Sequence, residues 1–567
     1  MKKSQKMLLG LVTFAFLTRF ILAIFIKTPS IFSDEYIYLK VAQSIFQGAG
    51  FNFHGTPISQ LFPLYPLVIS VAYLLKDMNL VYISIKLINS IISSLIIIPI
   101  FLIAKDFLNS KKAAIITLII SLLAVNLLFP IFVMSENLFY VLSIFYIYFL
   151  YQSFKTKSKK YFLISGAFLA LAFLTRLVGV ALVPVALIVF LMLRKKFGIN
   201  FKKIIYHYLV SLIIVVPWLV RNLLTFGPNI SALFGTTRDV SVNFVSSSSI
   251  FVPFINWLFL YAGYLLLASG ILFGMFFFFS TKPKDQNFSI ISTITFLATF
   301  FFVIVAANHS AGSPITYNSP LLYLIGRPLG RYLGVSISLI TLLGYITYTK
   351  FRFNNFSKSL VISSSIILLI ASQLTLTTLF PLNNQSLSYI GLTQVVLQKV
   401  ITGTLNFTPF FNPLIFGIMA LLFFVIPWIF YSLRKTNIGF FLAVLIILIN
   451  SIASYGLIYG SSNLQWSQDE RIQIGMFLDK LDNGKSTVMI DSKFEGKTLK
   501  TDNFPLYENL NNNQKMSLVS LWLTNDVVFD SPENNKNFGY LITRDKYDLE
   551  LVKETDSGIY LYKNSKK

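Results

Sequence analysis

The chain has 567 residues, 55% apolar and only 12% charged, with a formal net charge of +24 and no cysteine. Soluble domains carry about twice that share of charge, so an ordinary soluble enzyme is excluded, as are disulfides and thiolate metal sites. The mean hydropathy of +0.70 comes in repeated apolar stretches of about 20 residues, the pattern of a polytopic helical membrane protein.

Lys2, Lys3 and Lys6 precede an apolar run from Met7 to Ile26. The run exceeds a signal-peptide core and no small-residue cleavage site follows it. It reads as a retained first span with a cytoplasmic N-terminus. An outer loop rich in Gly and Pro then extends to about Leu80. Its amphipathic pieces at 36–46 and 65–75 suit a membrane interface.

Span 2 (81–104) returns to Lys105, Lys111 and Lys112. Spans 3 and 4 form a hairpin around Phe129-Pro130, with Glu136 near the outer end of span 4. The apolar run 161–193 is too long for one helix of ordinary tilt, and Thr175-Arg176 divides it into spans 5 and 6. Span 7 (204–224) leads to an outer loop over 225–250. Further spans follow, with outer loops at 308–331 and 381–409. Every inner loop carries Lys or Arg, as the positive-inside rule requires. The total is about thirteen spans, which leaves the C-terminal tail outside. No internal repeat of the transporter kind is present.

The chain therefore divides into a membrane part, 1–460, and a polar tail, 461–567. Short apolar runs in the tail at 487–490, 526–529, 540–543 and 558–562 read as strands beside a helix at 468–481. This is a small extracytoplasmic α/β domain. The membrane part holds 33 Lys+Arg and 7 Asp+Glu, against 14 and 16 in the tail. The excess base sits in short loops, so it marks topology and not nucleic-acid binding.

With so few acids near hydrocarbon, each one present is informative. Asp34 and Glu35 stand together just outside span 1. A partly desolvated carboxylate is a stronger base, and Asp34 can take a proton from an attacking hydroxyl. Glu35 can orient an acceptor or ligate a metal. The plain alternative is a helix start, with Ser33 or Asp34 as cap and both acids favoured by the helix dipole. Arg176, Arg221, Arg327 and Arg331 come from separate segments, each at an outer end, and arginine suits phosphate through bidentate hydrogen bonds. Their plain alternative is snorkelling to lipid headgroups. For Glu136 it is a helix-dipole carboxylate, and for Arg238 and Asp239 a surface pair. His54 and His309 show no metal-ligand spacing, and a divalent metal stays open. All these groups lie on one side of the membrane. A catalytic centre open to the exterior shows that pattern, whereas a channel or pump spreads charge through its depth.

The run Asp34-Glu35-Tyr36-Ile37-Tyr38-Leu39-Lys40-Val41-Ala42 resembles the acidic first-outer-loop motif of GT-C fold glycosyltransferases. The likeness is nearest to the family 39 type, the protein O-mannosyltransferases and the aminoarabinose transferases of lipid A. Leu171-Ala172-Phe173-Leu174-Thr175-Arg176 with Gly179 and Pro184 is similar to the corner where a basic residue faces the donor phosphate. Pro217-Trp218-Leu219-Val220-Arg221-Asn222 with Phe226-Gly227 resembles the span 7 exit. Gly330-Arg331-Tyr332-Leu333 resembles a later Arg-Tyr motif, and Ser135-Glu136-Asn137 fits the second outer loop.

The resemblance implies a polyprenyl- or dolichyl-phosphate sugar donor, transfer at the exterior face and inversion at the anomeric carbon. Two departures stand out. The Arg331 segment lacks the proline usual a few residues later, and no second acid cluster is present. The tandem-Trp/Asp motif of oligosaccharyltransferases is also absent, so en bloc transfer to asparagine is not expected. The expected protein is an α-helical polytopic membrane glycosyltransferase. Asp34 is the candidate base, with Glu35 and Glu136 positioning the acceptor. Arg176, Arg221, Arg331 and, less centrally, Arg327 would hold the donor phosphate. Acceptors are a protein, lipid or glycan hydroxyl. The rival readings are a transporter or flippase of lipid-linked sugars, and a scaffold whose tail binds glycan.

Overall fold

The computed structural model describes residues 3–27, 33–59, 61–228, 248–281, 284–312, 316–317, 324–325, 329–351, 356–372, 403, 413–459, 462–463, 467, 469–491, 519–533 and 537–564. Arg238, Asp239, Arg327 and most of the expected outer loops 225–250 and 381–409 lie outside the described residues.

α1 (Lys3–Ile24) is followed by α2 (Ser33–Phe46), a hairpin of β1 (Asn52–Phe53) and β2 (Thr56–Pro57), and α3 (Leu64–Ser70) with its 3-10 continuation Val71–Leu75. Both amphipathic pieces expected in this loop are thus helical. α4 (Met78–Ser94) and α5 (Ile97–Phe107) run on as one 30-residue apolar stretch. α6 (Ser110–Ser121) breaks into α7 (Ala124–Leu127) and a 3-10 turn, with a bend of 75°. α8 (Glu136–Thr156) and α9 (Lys159–Phe173) come next, then the 3-10 turn Leu177–Leu182, α10 (Val183–Phe197) and α11 (Phe201–Phe226). The apolar run 161–193 breaks at 174–176, where an arginine interrupts it. The remaining membrane-part helices are α12 (Ser248–Ala268), α13 (Leu272–Phe279), α14 (Gln286–Ala311), α15 (Gly334–Phe351), α16 (Lys358–Ala371), α17 (Pro413–Ser432) and α18 (Ile438–Tyr459). Between α14 and α15, β3 (Thr316–Tyr317) pairs antiparallel with β4 (Leu324–Ile325).

Among the described residues nine helices are long and apolar enough to cross a membrane, or ten if the bent pair is one span. The protein is therefore a multi-pass membrane protein. About thirteen spans were expected. α9, α16 and α17 stand where the others were placed and fall short of that test. The bundle has a centre and a rim. The apolar window that contains α15 is 94% buried, that of α11 only 11%. Leu209, Leu212, Ile213, Val216, Val220 and Leu223 of α11 face outward, which suits a helix wetted by lipid.

The tail packs α19 (Glu470–Asp482) on a five-stranded sheet in the order β6-β5-β7-β9-β8. β5 (Val488–Asp491) pairs in parallel with β6 (Val527–Asp530) and β7 (Tyr540–Thr543). β9 (Tyr560–Lys563) is antiparallel to β7 and to β8 (Glu550–Glu554). Ile474 and Leu478 of the helix meet Val488, Ile490, Ile542 and Leu561 of the sheet in one small core. The four expected strands are present. β8 was not expected, because Glu-Leu-Val-Lys-Glu is polar and mostly exposed. Charge on an edge strand suppresses pairing with other chains and also hides the strand from a hydropathy search.

Candidate active site

The described acids of the membrane part fall into two groups. Some serve local structure. Asp77 caps α4 by accepting from the Leu80 amide at 3.0 Å. Asp285 caps α14 through the amides of Asn287 and Phe288, at 2.7 and 3.1 Å. Asp106 pairs with Lys155 at 2.7 Å at the lysine-bearing end of the bundle. Asp34, Glu35 and Glu136 instead meet at the opposite end, although about a hundred residues of sequence separate the last from the first two.

Arg331 joins them. Its Nη1 lies 3.0 Å from Asp34 Oδ2, and its Nε lies 3.5 Å from Glu136 Oε1. Arg176 Nη1 is 2.5 Å from the same Glu136 oxygen and donates to Ser135 Oγ at 3.0 Å. The Tyr38 hydroxyl is 2.7 Å from Ser135 Oγ, so α2 and the start of α8 touch through it. Both guanidinium groups lie over the Tyr332 ring, at 5.5 and 5.8 Å from its centroid. Tyr140 donates to the Arg331 carbonyl at 2.5 Å. Gly334 permits this approach, since a Cβ there would collide with the Tyr140 ring. Four segments thus hold one Arg–Glu–Arg–Asp chain.

Exposure separates the acids. The Asp34 side chain is 31% exposed and that of Glu136 only 1%. Glu35 is fully buried, and its Oε2 accepts from the Val133 amide at 3.0 Å. The backbone over 132–134, after the 3-10 turn Phe129–Ile131, is non-helical and buried, so its polar groups need partners. Asn89 and Asn137 supply others, donating to the Phe132 carbonyl at 3.0 and 3.1 Å. Glu35 and Glu136 were expected beside the acceptor. In the structure the Glu35 carboxylate faces this backbone run and that of Glu136 lies between two arginines.

Arg221 stands apart from that chain. Its guanidinium donates to the carbonyls of Ile58 and Phe51, at 2.9 and 3.1 Å, and to Asn222 Oδ1 at 2.9 Å. The rings of Trp218, Phe226 and Phe51 surround it at 5.0, 5.3 and 5.4 Å. It fastens the β1–β2 hairpin to α11. Of the four arginines expected to converge, the structure brings together Arg176 and Arg331. Arg327 lies outside the described residues. The expected cationic nest is also electrically balanced, since two guanidinium groups face two carboxylates. Among the described residues, no three His, Asp or Glu side chains group as a metal site.

Sequence reading passed over two buried cations within spans. Arg19 of α1 donates through Nε to the Asn126 carbonyl at 2.8 Å. Lys86 of α4 donates to the Ala23 carbonyl at 3.0 Å and to that of Ile26, and so binds the end of α1. A single Lys or Arg inside an apolar run leaves hydropathy almost unchanged. Lys86 follows the rule that cations suit helix C-termini, but its target was invisible without the fold.

A family model described as dolichyl-phosphate-mannose-protein mannosyltransferase matches residues 57–220. That stretch contains Glu136 and Arg176 and stops one residue before Arg221. No curated protein sequence matches the chain. Among solved structures, the chain is similar to ArnT from Cupriavidus metallidurans bound to undecaprenyl phosphate. The match covers 98% of this chain and 97% of that one, with a TM-score of 0.55 at 14% identity. The apo state of the same protein matches with the same coverage and TM-score at 12% identity. An archaeal oligosaccharyltransferase, AglB from Archaeoglobus fulgidus in complex with an inhibitory peptide and a dolichol-phosphate, aligns over 95% of this chain and 69% of that one. Its TM-score is 0.39 at 11% identity. The architecture is the GT-C fold, to which this chain adds a small C-terminal β-sheet domain. The resemblance to family 39-type GT-C glycosyltransferases seen in the sequence holds in the family match and in the fold.

Proposed function

We propose that the protein is a membrane glycosyltransferase that moves one sugar from a polyprenyl- or dolichyl-phosphate donor to an acceptor hydroxyl at the exterior face. One observation carries this reading. Of the three acids that converge, Asp34 alone keeps an exposed side chain, and it does so in contact with Arg331, in a fold shared with ArnT, which was solved bound to undecaprenyl phosphate.

In the proposed reaction the acceptor oxygen attacks the anomeric carbon as Asp34 takes the hydroxyl proton. The bond from that carbon to the phosphate oxygen breaks, and the lipid phosphate leaves with the electron pair. Arg176 and Arg331 receive the growing negative charge, and the anomeric configuration inverts. Electrostatic stabilisation of this kind needs donors fixed before the reaction begins. Glu136 fixes them, and Glu35 fixes the backbone beside them. Both are therefore positioning groups in this scheme. In this reading the N-terminus is cytoplasmic and the tail outside, which the basic loops support through the positive-inside rule. Protease added to intact cells should trim residues 461–567, and a protected tail would reverse this topology.

Purified protein in liposomes, given a radiolabelled polyprenyl-phosphate sugar and an acceptor extract, tests the function. Transfer should occur, and Asp34→Asn should lower it by about 10²–10⁴-fold, the contribution of a general base, while donor binding survives. An unchanged rate in Asp34→Asn would remove Asp34 from the role. Label that crosses the bilayer without transfer would support a flippase instead.

A further inference from the structure

α2 is gripped on two opposite faces. Asp34 and Tyr38, one helical turn apart, meet Arg331 and Ser135 on the bundle side. Tyr36, Lys40 and Gln43 follow the i, i+4, i+7 spacing of a single face and meet the tail. Lys40 Nζ donates to the Leu523 carbonyl at 2.6 Å, and Gln43 Nε2 donates to the Thr524 carbonyl at 2.6 Å. Tyr36 shares a short hydrogen bond with Ser520.

The tail segment over 519–524, helical at 519–521, is itself anchored. Asp479, fully buried in α19, accepts from the Thr524 amide and hydroxyl at 2.7 and 2.6 Å. Its other oxygen accepts from the Met78 amide at 2.9 Å, at the first residue of α4. The Trp522 ring packs edge-on against Tyr82 of α4 at 5.4 Å. This segment thus joins the tail to α2, and Asp479 ties it to the start of α4, while Asn463 at the end of α1 and Phe529 against His54 make further contacts between the tail and the membrane part.

We propose that the tail acts as the outer jaw of a clamp on α2, with Asp479, Lys40 and Gln43 as positioning residues that hold Asp34 on Arg331. The proposal rests on the reading of Asp34 as the base. A helix of 14 residues is marginal on its own in water, so tertiary contacts set its rotation. One residue of slip turns it by about 100° and carries Asp34 away from the guanidinium. Within the membrane part, Tyr73 also donates to the Leu39 carbonyl at 2.8 Å and His54 lies 2.6 Å from the Tyr36 hydroxyl, and the tail adds Ser520, Leu523 and Thr524 on the face opposite Asp34. A catalytic group displaced by about 1 Å loses on the order of 10²-fold in rate.

The full-length protein in nanodiscs tests this with Asp479→Asn, which unlatches the segment, and Gln43→Ala, which leaves the latch and trims one α2 contact. Hydrogen exchange of 33–46 and 519–524 is measured beside turnover of radiolabelled undecaprenyl-phosphate mannose, normalised to molecules able to bind undecaprenyl phosphate. In Asp479→Asn both segments should lose protection together. The kcat should fall by about 10–100-fold, donor KM should stay within about threefold, and the acid limb of the pH–rate profile should move. Gln43→Ala should show the same pattern, smaller. A merely destabilised enzyme would keep the wild-type profile in its surviving molecules. Loosening of 519–524 with α2 still protected overturns the clamp, as does a loosened α2 with unchanged kcat and profile. Wild-type protein inert toward the donor would sink the enzymatic reading, while the exchange result still decides whether α2 is clamped.

Discussion

Arg176 and Arg331 occupy one kind of environment and Arg221 another, although sequence position gave all three the same expected task. The first two face carboxylates, share the Tyr332 ring and have no more than one-tenth of their side chains exposed. Arg221 faces backbone carbonyls and an aromatic cage. A guanidinium between carboxylates can pass donors to an arriving phosphate, because charged partners exchange for charged partners. One bound to neutral carbonyls would have to release the hairpin it holds. Residue type and membrane depth were legible; what occupied the donors was not.

The sharpest way to break this contrast is to remove the carboxylate between the two arginines. Glu136→Gln leaves two nearly buried cations with half their counter-charge. Breaking a buried pair on one side costs about 3–5 kcal/mol, so thermal unfolding in detergent should show a large loss. Arg221→Met should cost less, since it takes donors away from neutral carbonyls and leaves no buried charge without a counter-charge. Equal losses would mean that the Arg–Glu–Arg chain is no more integral than the hairpin fastener.

Next in size is ligand binding. Arg176→Ala should weaken undecaprenyl phosphate by about 10–100-fold, the range of one or two charge-assisted hydrogen bonds. Arg221→Met should leave the same constant within about threefold while raising hydrogen exchange in 51–58. Titration of the lipid phosphate into each variant reads this directly. A reversed order would hand the donor site to Arg221 and restore the role first expected of it.

Much of the fold was open to sequence reading for a simple reason. Apolar runs and flanking lysines are local signals, and lipid imposes them strongly. The break at Arg176, the amphipathic α2 and the tail's buried strands all follow from them. The Asp34–Glu35 pair stood out because acids are scarce in 1–460. The partner of each acid was not legible. Glu136 reaches Arg331 and Asp479 reaches Met78 across long stretches of chain, and no periodicity encodes such contacts. β8 and Lys86 were hidden for the opposite reason, an exposed edge in one case and a lone charge within an apolar run in the other.

Lys40 sharpens the contrast further, as a buried cation whose hydrogen bonds go to a backbone carbonyl and an amide oxygen. Gln43 on its own helix, Asp479 and Asp526 of the tail, and His54 of the hairpin are the groups that face it. Burial pulls its ammonium down to about 7, against the partial opposition of the two aspartates. The same burial, with Lys40 nearby, pulls His54 to about 4. Between about pH 7 and 10 the unfolded chain therefore holds a proton on Lys40 that the folded chain has released. Stability rises with pH across that window and levels off below it, with a slope of at most ~1.4 kcal/mol per pH unit. The difference in melting temperature between wild type and Lys40→Met should accordingly grow from pH 7 to 9. Arg221→Met should show no such dependence, because arginine stays charged throughout. A flat difference for Lys40→Met would mean that its ammonium is solvated, and that the seam between α2 and the tail is open where its hydrogen bonds indicate closure.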